Sequence, residues 1–154
     1  GSYTASVNDF LRDHNLKANQ HQFDALVSMA YNLGPGFLNS PNDPPSWLIN
    51  APGGDLNNMN QVYSGTTNAG TKPVPNTVGK IGFANEMLYW TASTDSAGNK
   101  MHLGGLLRRR MVESLIFNEG IYQDMTFRDV FTVAPQYGYT VPIYDASSST
   151  YGYK

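Results

Sequence analysis

The 154-residue chain contains no cysteine, which excludes a disulfide framework, a thiolate metal site and a cysteine nucleophile. Charge is scarce too: ten Lys and Arg stand against twelve Asp and Glu, and charged residues make up only 14% of the chain. A net charge of −2 without a basic run leaves no electrostatic footprint for nucleic acid or an anionic membrane. Apolar runs fall far short of the ~20 residues that span a bilayer. No basic region followed by an apolar stretch has the make-up of a secretory signal. His14, His21 and His102 lie at no ligand spacing, so neither a metal nor any other cofactor is implied.

What is present fits one domain with a core and a tail, since 40% of residues are hydrophobic. Ten Tyr and two Trp beside abundant Asn and Gly suit a carbohydrate, because aromatic faces cover sugar C–H surfaces while amides satisfy hydroxyls. Ordinary loop-rich surfaces share that composition. A polymer held by so weakly charged a chain is gripped by neutral hydrogen bonds.

Apolar spacing predicts a short helix over residues 4–14 through Val7, Phe10 and Leu11. A second helix starts at Asn19, where Gln22 completes a variant capping box. Phe23, Leu26, Val27, Ala30 and Leu33 form its stripe, and Gly34 suits a left-handed cap before Pro35. A Ser46-capped turn through Trp47, Leu48 and Ile49 follows, then a helix capped by Asp55 that carries Leu56, Met59 and Val62. Residues 64–80 have the composition of a long loop. Helical spacing returns with Phe83, Ala84, Met87, Leu88 and Trp90, and residues 95–105 read as a loop. A long helix spans about Leu106 to Asn118, with Leu107, Met111, Ser114 and Leu115 inward and the basic side chains partly outward. Beyond Tyr122, alternation at Phe127, Asp129, Phe131 and Val133, then Tyr137, Tyr139, Val141 and Ile143, predicts a small β-hairpin and a frayed end.

Three blocks in order carry a family resemblance. They are Asn19 to Gly36 running on through Phe37-Leu38-Asn39-Ser40, then Ala84-Asn85-Glu86-Met87 with Trp90, then Gly105-Leu106-Leu107-Arg108-Arg109-Arg110-Met111-Val112-Glu113 continuing to Phe117 and Gly120. Together they resemble the substrate-lobe helices of the phage-type lysozymes of glycoside hydrolase family 24. The resemblance implies a mainly α fold: a lysozyme-like helical lobe over 3–122, with an insertion at 64–80, and a C-terminal extension over 123–154 bearing the short β-hairpin.

In that family the helical lobe forms one wall of a cleft, and an acid Glu and a Gly-Tyr-Gly-His-Thr segment lie N-terminal to the first block. Residues 1–18 hold neither motif, so the expected chain is a lysozyme lobe without its catalytic segment, inactive alone. By resemblance, Asn32 faces the saccharide, and Tyr31, Gly34 and Asn39 line the same wall. Packing for Tyr31 and turn capping for Asn39 are the competing structural readings. Arg109 matches the arginine that reaches across to the acid Glu, a contact that lowers a carboxyl pKa. The plainer reading of three consecutive arginines is a solvated face with Arg108 and Glu113 at the surface. Trp90 reads as core, and Asp24 and Glu86 as structural helix-surface acids.

A permuted catalytic lobe is one further arrangement: Phe117-Asn118-Glu119-Gly120 is followed by Gln136-Tyr137-Gly138-Tyr139-Thr140 at a family-like offset, making Glu119 the catalytic candidate. The expected partners are peptidoglycan glycan strands and the missing N-terminal catalytic lobe, with homodimerisation as a way to cover the face that lobe would occupy. Phage-encoded action at the bacterial cell wall or outside the cell is the matching location. A non-catalytic peptidoglycan-binding or structural phage module is the alternative function.

Overall fold

In the computed structural model, residues 2–40, 45–58, 80–94, 96–98, 100–139 and 141 are described. Helix α1 (Ser2–Asp13) buries Val7 and Phe10 and half-buries Leu11, as the predicted spacing requires. Helix α2 (Gln20–Leu33) begins at the expected capping box: the Asn19 side chain accepts from Gln22 N, and Gln22 Oε1 accepts from Asn19 N, both at 2.9 Å. It ends at Gly34, whose φ of 88° lies in the positive region, with an extended ψ of 146° in place of the expected left-handed cap. A 3₁₀ turn (Pro35–Leu38) then buries Phe37 and Leu38.

Helix α3 (Pro45–Leu48) buries Trp47 and Leu48. Two 3₁₀ turns follow, Pro52–Gly54 and Leu56–Asn58. The helix expected after Asp55 is therefore a single tight turn as far as Asn58, and Met59, Val62 and the 64–79 stretch lie outside the described residues. Helix α4 (Lys80–Met87) leads to strands β1 (Ala92–Thr94) and β2 (Lys100–His102), paired antiparallel with Ser93 opposite Met101. Of the 95–105 stretch read as a loop, residues 96–98 form a turn and Lys100–His102 is strand β2, while residues 95 and 99 lie outside the described residues.

Helix α5 (Gly104–Glu119) packs along α2, α4 and helix α6 (Phe127–Gln136). Two apolar clusters meet on it. Phe117 joins Val7, Phe10, Leu26, Met29, Leu48, Leu56 and Phe83, whereas Leu107, Met111 and Leu115 join Ala84, Leu88, Val130 and Ala134. A helix pressed from several sides needs apolar residues around most of its circumference.

The architecture is mainly helical, as expected, but the C-terminal hairpin is not where alternation put it. Residues 127–133 are helical because Thr126 and Asp129 form a reciprocal capping box, and Val130 and Ala134 turn inward at helical spacing. Phe127 and Phe131 touch edge to face at 5.1 Å, the i, i+4 contact of a helix surface. Of the second expected strand, Tyr137 to Tyr139 form a turn, while Thr140 and Ile143 lie outside the described residues.

One close backbone approach ties the N-terminal helices to the turn region. Lys17 N donates to Gly54 O at 2.6 Å and Leu56 N donates to Lys17 O at 3.0 Å. At Gly54, with φ of 71°, a Cβ would stand 2.3 Å from the Asn15 carbonyl oxygen. Gly54→Ala is therefore expected to cost on the order of 2 kcal/mol from the backbone conformation alone. Urea denaturation checks this, and an unchanged midpoint contradicts it.

Candidate functional site

Gln20, Asp24, Ser28 and Asn32 recur every four residues on α2, so they form one polar stripe along the helix. On α5, Arg110 stands at the stripe position shared by Leu107 and Ser114, where a side chain is buried; its exposure is 0%. A buried guanidinium needs an anion, and Glu113, one turn on and 1% exposed, provides it. Arg110 Nε donates to Glu113 Oε1 at 2.6 Å, and Nη2 donates to Oε2 at 3.1 Å. Arg110 Nη1 reaches the Trp90 carbonyl at 3.5 Å.

The same carboxylate ties α5 to α2. Ser28 Oγ donates to Glu113 Oε2 at 2.5 Å, and Asn32 Nδ2 stands 3.4 Å from that oxygen. Asn32 Nδ2 also donates to the Ser28 carbonyl at 2.9 Å, while its Oδ1 accepts from Arg109 Nη1. Both amide hydrogens thus face inward and the amide oxygen faces Arg109. Burial pushes the Glu113 carboxyl above its ordinary value of 4.5, outweighing Arg110, Ser28 and Arg109, which all favour the charged form.

Beside the stripe lies a groove of about 350 Å³ lined by Tyr3, Thr4, Asp24, Val27, Ser28 and Tyr31. Tyr31 is 65% exposed, with its ring edge-on to Tyr3 at 5.2 Å. Asp24 accepts from Gln20 Nε2 at 2.7 Å and from the hydroxyl of exposed Tyr122, which follows α5. Donating its proton to the Asp24 carboxylate raises the Tyr122 phenol above its ordinary value.

Of the residues singled out in the sequence, Asn32 and Arg109 meet directly, and Tyr31 stands next to them at the groove. Gly34 and Asn39 lie past the end of α2, and their backbone N–H groups bond locally, to Ala30 O at 2.9 Å and Gly36 O at 3.1 Å. Glu119 is exposed at the end of α5, and the segment that a permuted lobe needs as strand is α6. Glu113 and Glu86 are buried, not surface acids. Burial on a helix crossed by neighbours on several sides accounts for Glu113. Trp90 is half-buried against the core.

Sequence reasoning missed the roles of Ser28, Arg110 and Glu113. The available signal was Arg110 on the apolar stripe of α5 with an acid three residues on. Among the described residues no three His, Asp or Glu gather as a metal site, and no helix is long and apolar enough to cross a membrane.

The phage lysozyme family model matches residues 1–49, which hold α1, α2 and the α2 half of the polar network. Over this span the chain is similar to phage lysozymes. No curated protein and no solved structure matches the chain. The lysozyme-type match thus covers Ser28, Tyr31 and Asn32, whereas Arg109 and Glu113 come from outside it.

Removing one partner of the buried pair leaves a charge without compensation. Arg110→Ala is expected to cost about 3–5 kcal/mol, while Arg110→Met with Glu113→Leu costs much less; equal losses in chemical denaturation contradict the pairing. For pH, a raised folded-state pKa means that the folded chain binds the Glu113 proton more tightly than the unfolded chain. Relative to Glu113→Gln, the parent chain should therefore gain stability as pH falls through the raised pKa, levelling off below 4.5. A difference in melting temperature that shrinks over that fall counts against it.

Proposed function

We propose that this chain forms the saccharide-gripping helical wall of a peptidoglycan-hydrolysing lysozyme, acting at the bacterial cell wall, while another segment supplies the proton donor. The observation that carries the reading is the locked Asn32 amide. Its hydrogens are committed to Ser28 and Glu113 and its oxygen to Arg109, and its partner Ser28 and neighbour Tyr31 line the groove, within the span that the phage lysozyme family model matches. The second lone pair of the amide oxygen is left for a sugar hydroxyl, and an acceptor already oriented loses no rotamer freedom on binding.

Hydrolysis of a glycosidic bond needs a protonated carboxyl at the leaving oxygen. For inversion it also needs a second group on the far face, with the carboxyls about 6.5–9.5 Å apart. The acids of the site do not meet that need. Both Glu113 oxygens are occupied by donors, and Glu119 is exposed at the end of α5, away from Asn32 and Arg109 in sequence and outside the groove lining. Arg109 uses one nitrogen on Asn32, and its other N–H groups remain suited to a carboxylate across the cleft. In this reading it orients that acid at the cleft.

Sedimentation with purified peptidoglycan, combined with a turbidity assay on bacterial walls, tests the proposal. The chain alone should bind without clearing the walls, and Asn32→Leu or Arg109→Ala should each weaken binding about tenfold, equivalent to roughly 1.4 kcal/mol. Failure to bind overturns the proposal. So does clearing that Glu119→Gln abolishes, which would place the chemistry in this chain. Binding that never becomes lysis in the natural full-length protein favours a non-catalytic wall-binding module instead.

A further inference from the structure

The Asp24 end of the groove lies outside the Asn32 and Arg109 pair, yet it has a binding surface of its own. Asp24 precedes Asn32 by eight residues, roughly 12 Å along α2, which is of the order of two linked pyranose rings. Between them the groove is lined by Val27, Ser28 and Tyr31, with Tyr3 and Thr4 contributed by α1.

Three features of that end have a common chemistry. Tyr31 leaves 65% of its surface in solvent while its ring is braced edge-on against Tyr3, so it offers an aromatic face whose orientation is already set. Asp24 is held as well, since each carboxylate oxygen already accepts one hydrogen bond, Oδ1 from Gln20 and Oδ2 from Tyr122. A carboxylate has about four acceptor positions, so each oxygen keeps capacity for a ligand donor. An aromatic platform beside an oriented acceptor matches a pyranose ring, which has an apolar C–H face and a rim of hydroxyl donors.

Resting on the wall-binding reading above, we infer that Tyr31, Asp24 and Tyr122 form a further sugar-ring site that selects an uncharged N-acetylglucosamine-type ring. Asp24 accepts from the hydroxyls of such a ring and repels the lactyl carboxylate of a muramoyl ring. Tyr122 keeps the carboxylate turned to the groove, and its own oxygen remains available to a second hydroxyl.

Calorimetric titration of the chain with chitotetraose, and with a tetrasaccharide of alternating N-acetylglucosamine and N-acetylmuramic acid, tests the inference. Melting curves of each variant confirm that it is folded. Tyr31→Ala and Asp24→Ala should each weaken chitotetraose binding about tenfold, and Tyr122→Phe less. Asp24→Asn should narrow the preference for the uncharged glycan, a change that loss of a structural contact would not produce. If Asn32→Leu abolishes binding while every Asp24 variant binds both glycans as the parent does, this inference is overturned and the wall reading stands. If the parent chain binds neither these glycans nor peptidoglycan, both fail.

Discussion

The arrangement depends on one buried carboxylate. Glu113 sits between α5 and α2, taking two hydrogen bonds from Arg110 on its own helix and one from Ser28 on the facing helix. It thereby sets the rotation of α5 against α2 at the point where Asn32 and Arg109 emerge. Such a pair is not an inexpensive source of stability, since taking both charges out of water costs several kcal/mol per ion before their attraction offsets it. Burial prevails over every favourable contact in shifting the Glu113 pKa upward. What the network supplies is definition. An apolar contact there would let the helices slide, whereas a forked guanidinium on a carboxylate has few acceptable geometries.

That definition passes outward in short steps. Glu113 fixes Ser28 and one face of the Asn32 amide, and the amide oxygen in turn receives Arg109. Arg110 and Arg109, adjacent in sequence, have opposite duties because α5 turns about 100° between them: the first is sealed in the interior and the second is half-exposed at the site. The third arginine, Arg108, pairs with exposed Asp124, where an ion pair contributes little. A triplet that looks like one solvated patch is thus three separate environments.

The sequence was most legible where local chemistry decides the structure. The Asn19 and Gln22 capping box and the apolar stripe of α2 determine that helix almost without help from the rest of the chain. Legibility failed where two periods coincide. Phe127, Phe131 and Val133 satisfy a strand's alternation, but Val130 and Ala134 satisfy a helix, and the Thr126 and Asp129 cap tips the balance. It failed again at β1 and β2, whose three-residue strands are too short to show alternation. At the site, the resemblance singled out Tyr31, Asn32 and Arg109, residues that project outward. The supporting Ser28 and Glu113 stayed hidden because their significance is a contact across 85 positions of sequence.

The central claim is that Glu113 couples the two helices through Ser28. A double-mutant cycle of Ser28→Ala and Glu113→Gln in chemical denaturation measures that coupling free of each residue's other contacts. A coupling of at least about 1 kcal/mol is predicted, as for a hydrogen bond to a buried charge. Additive single-mutant losses would contradict the account, because Glu113 would then not couple α2 to α5 through Ser28.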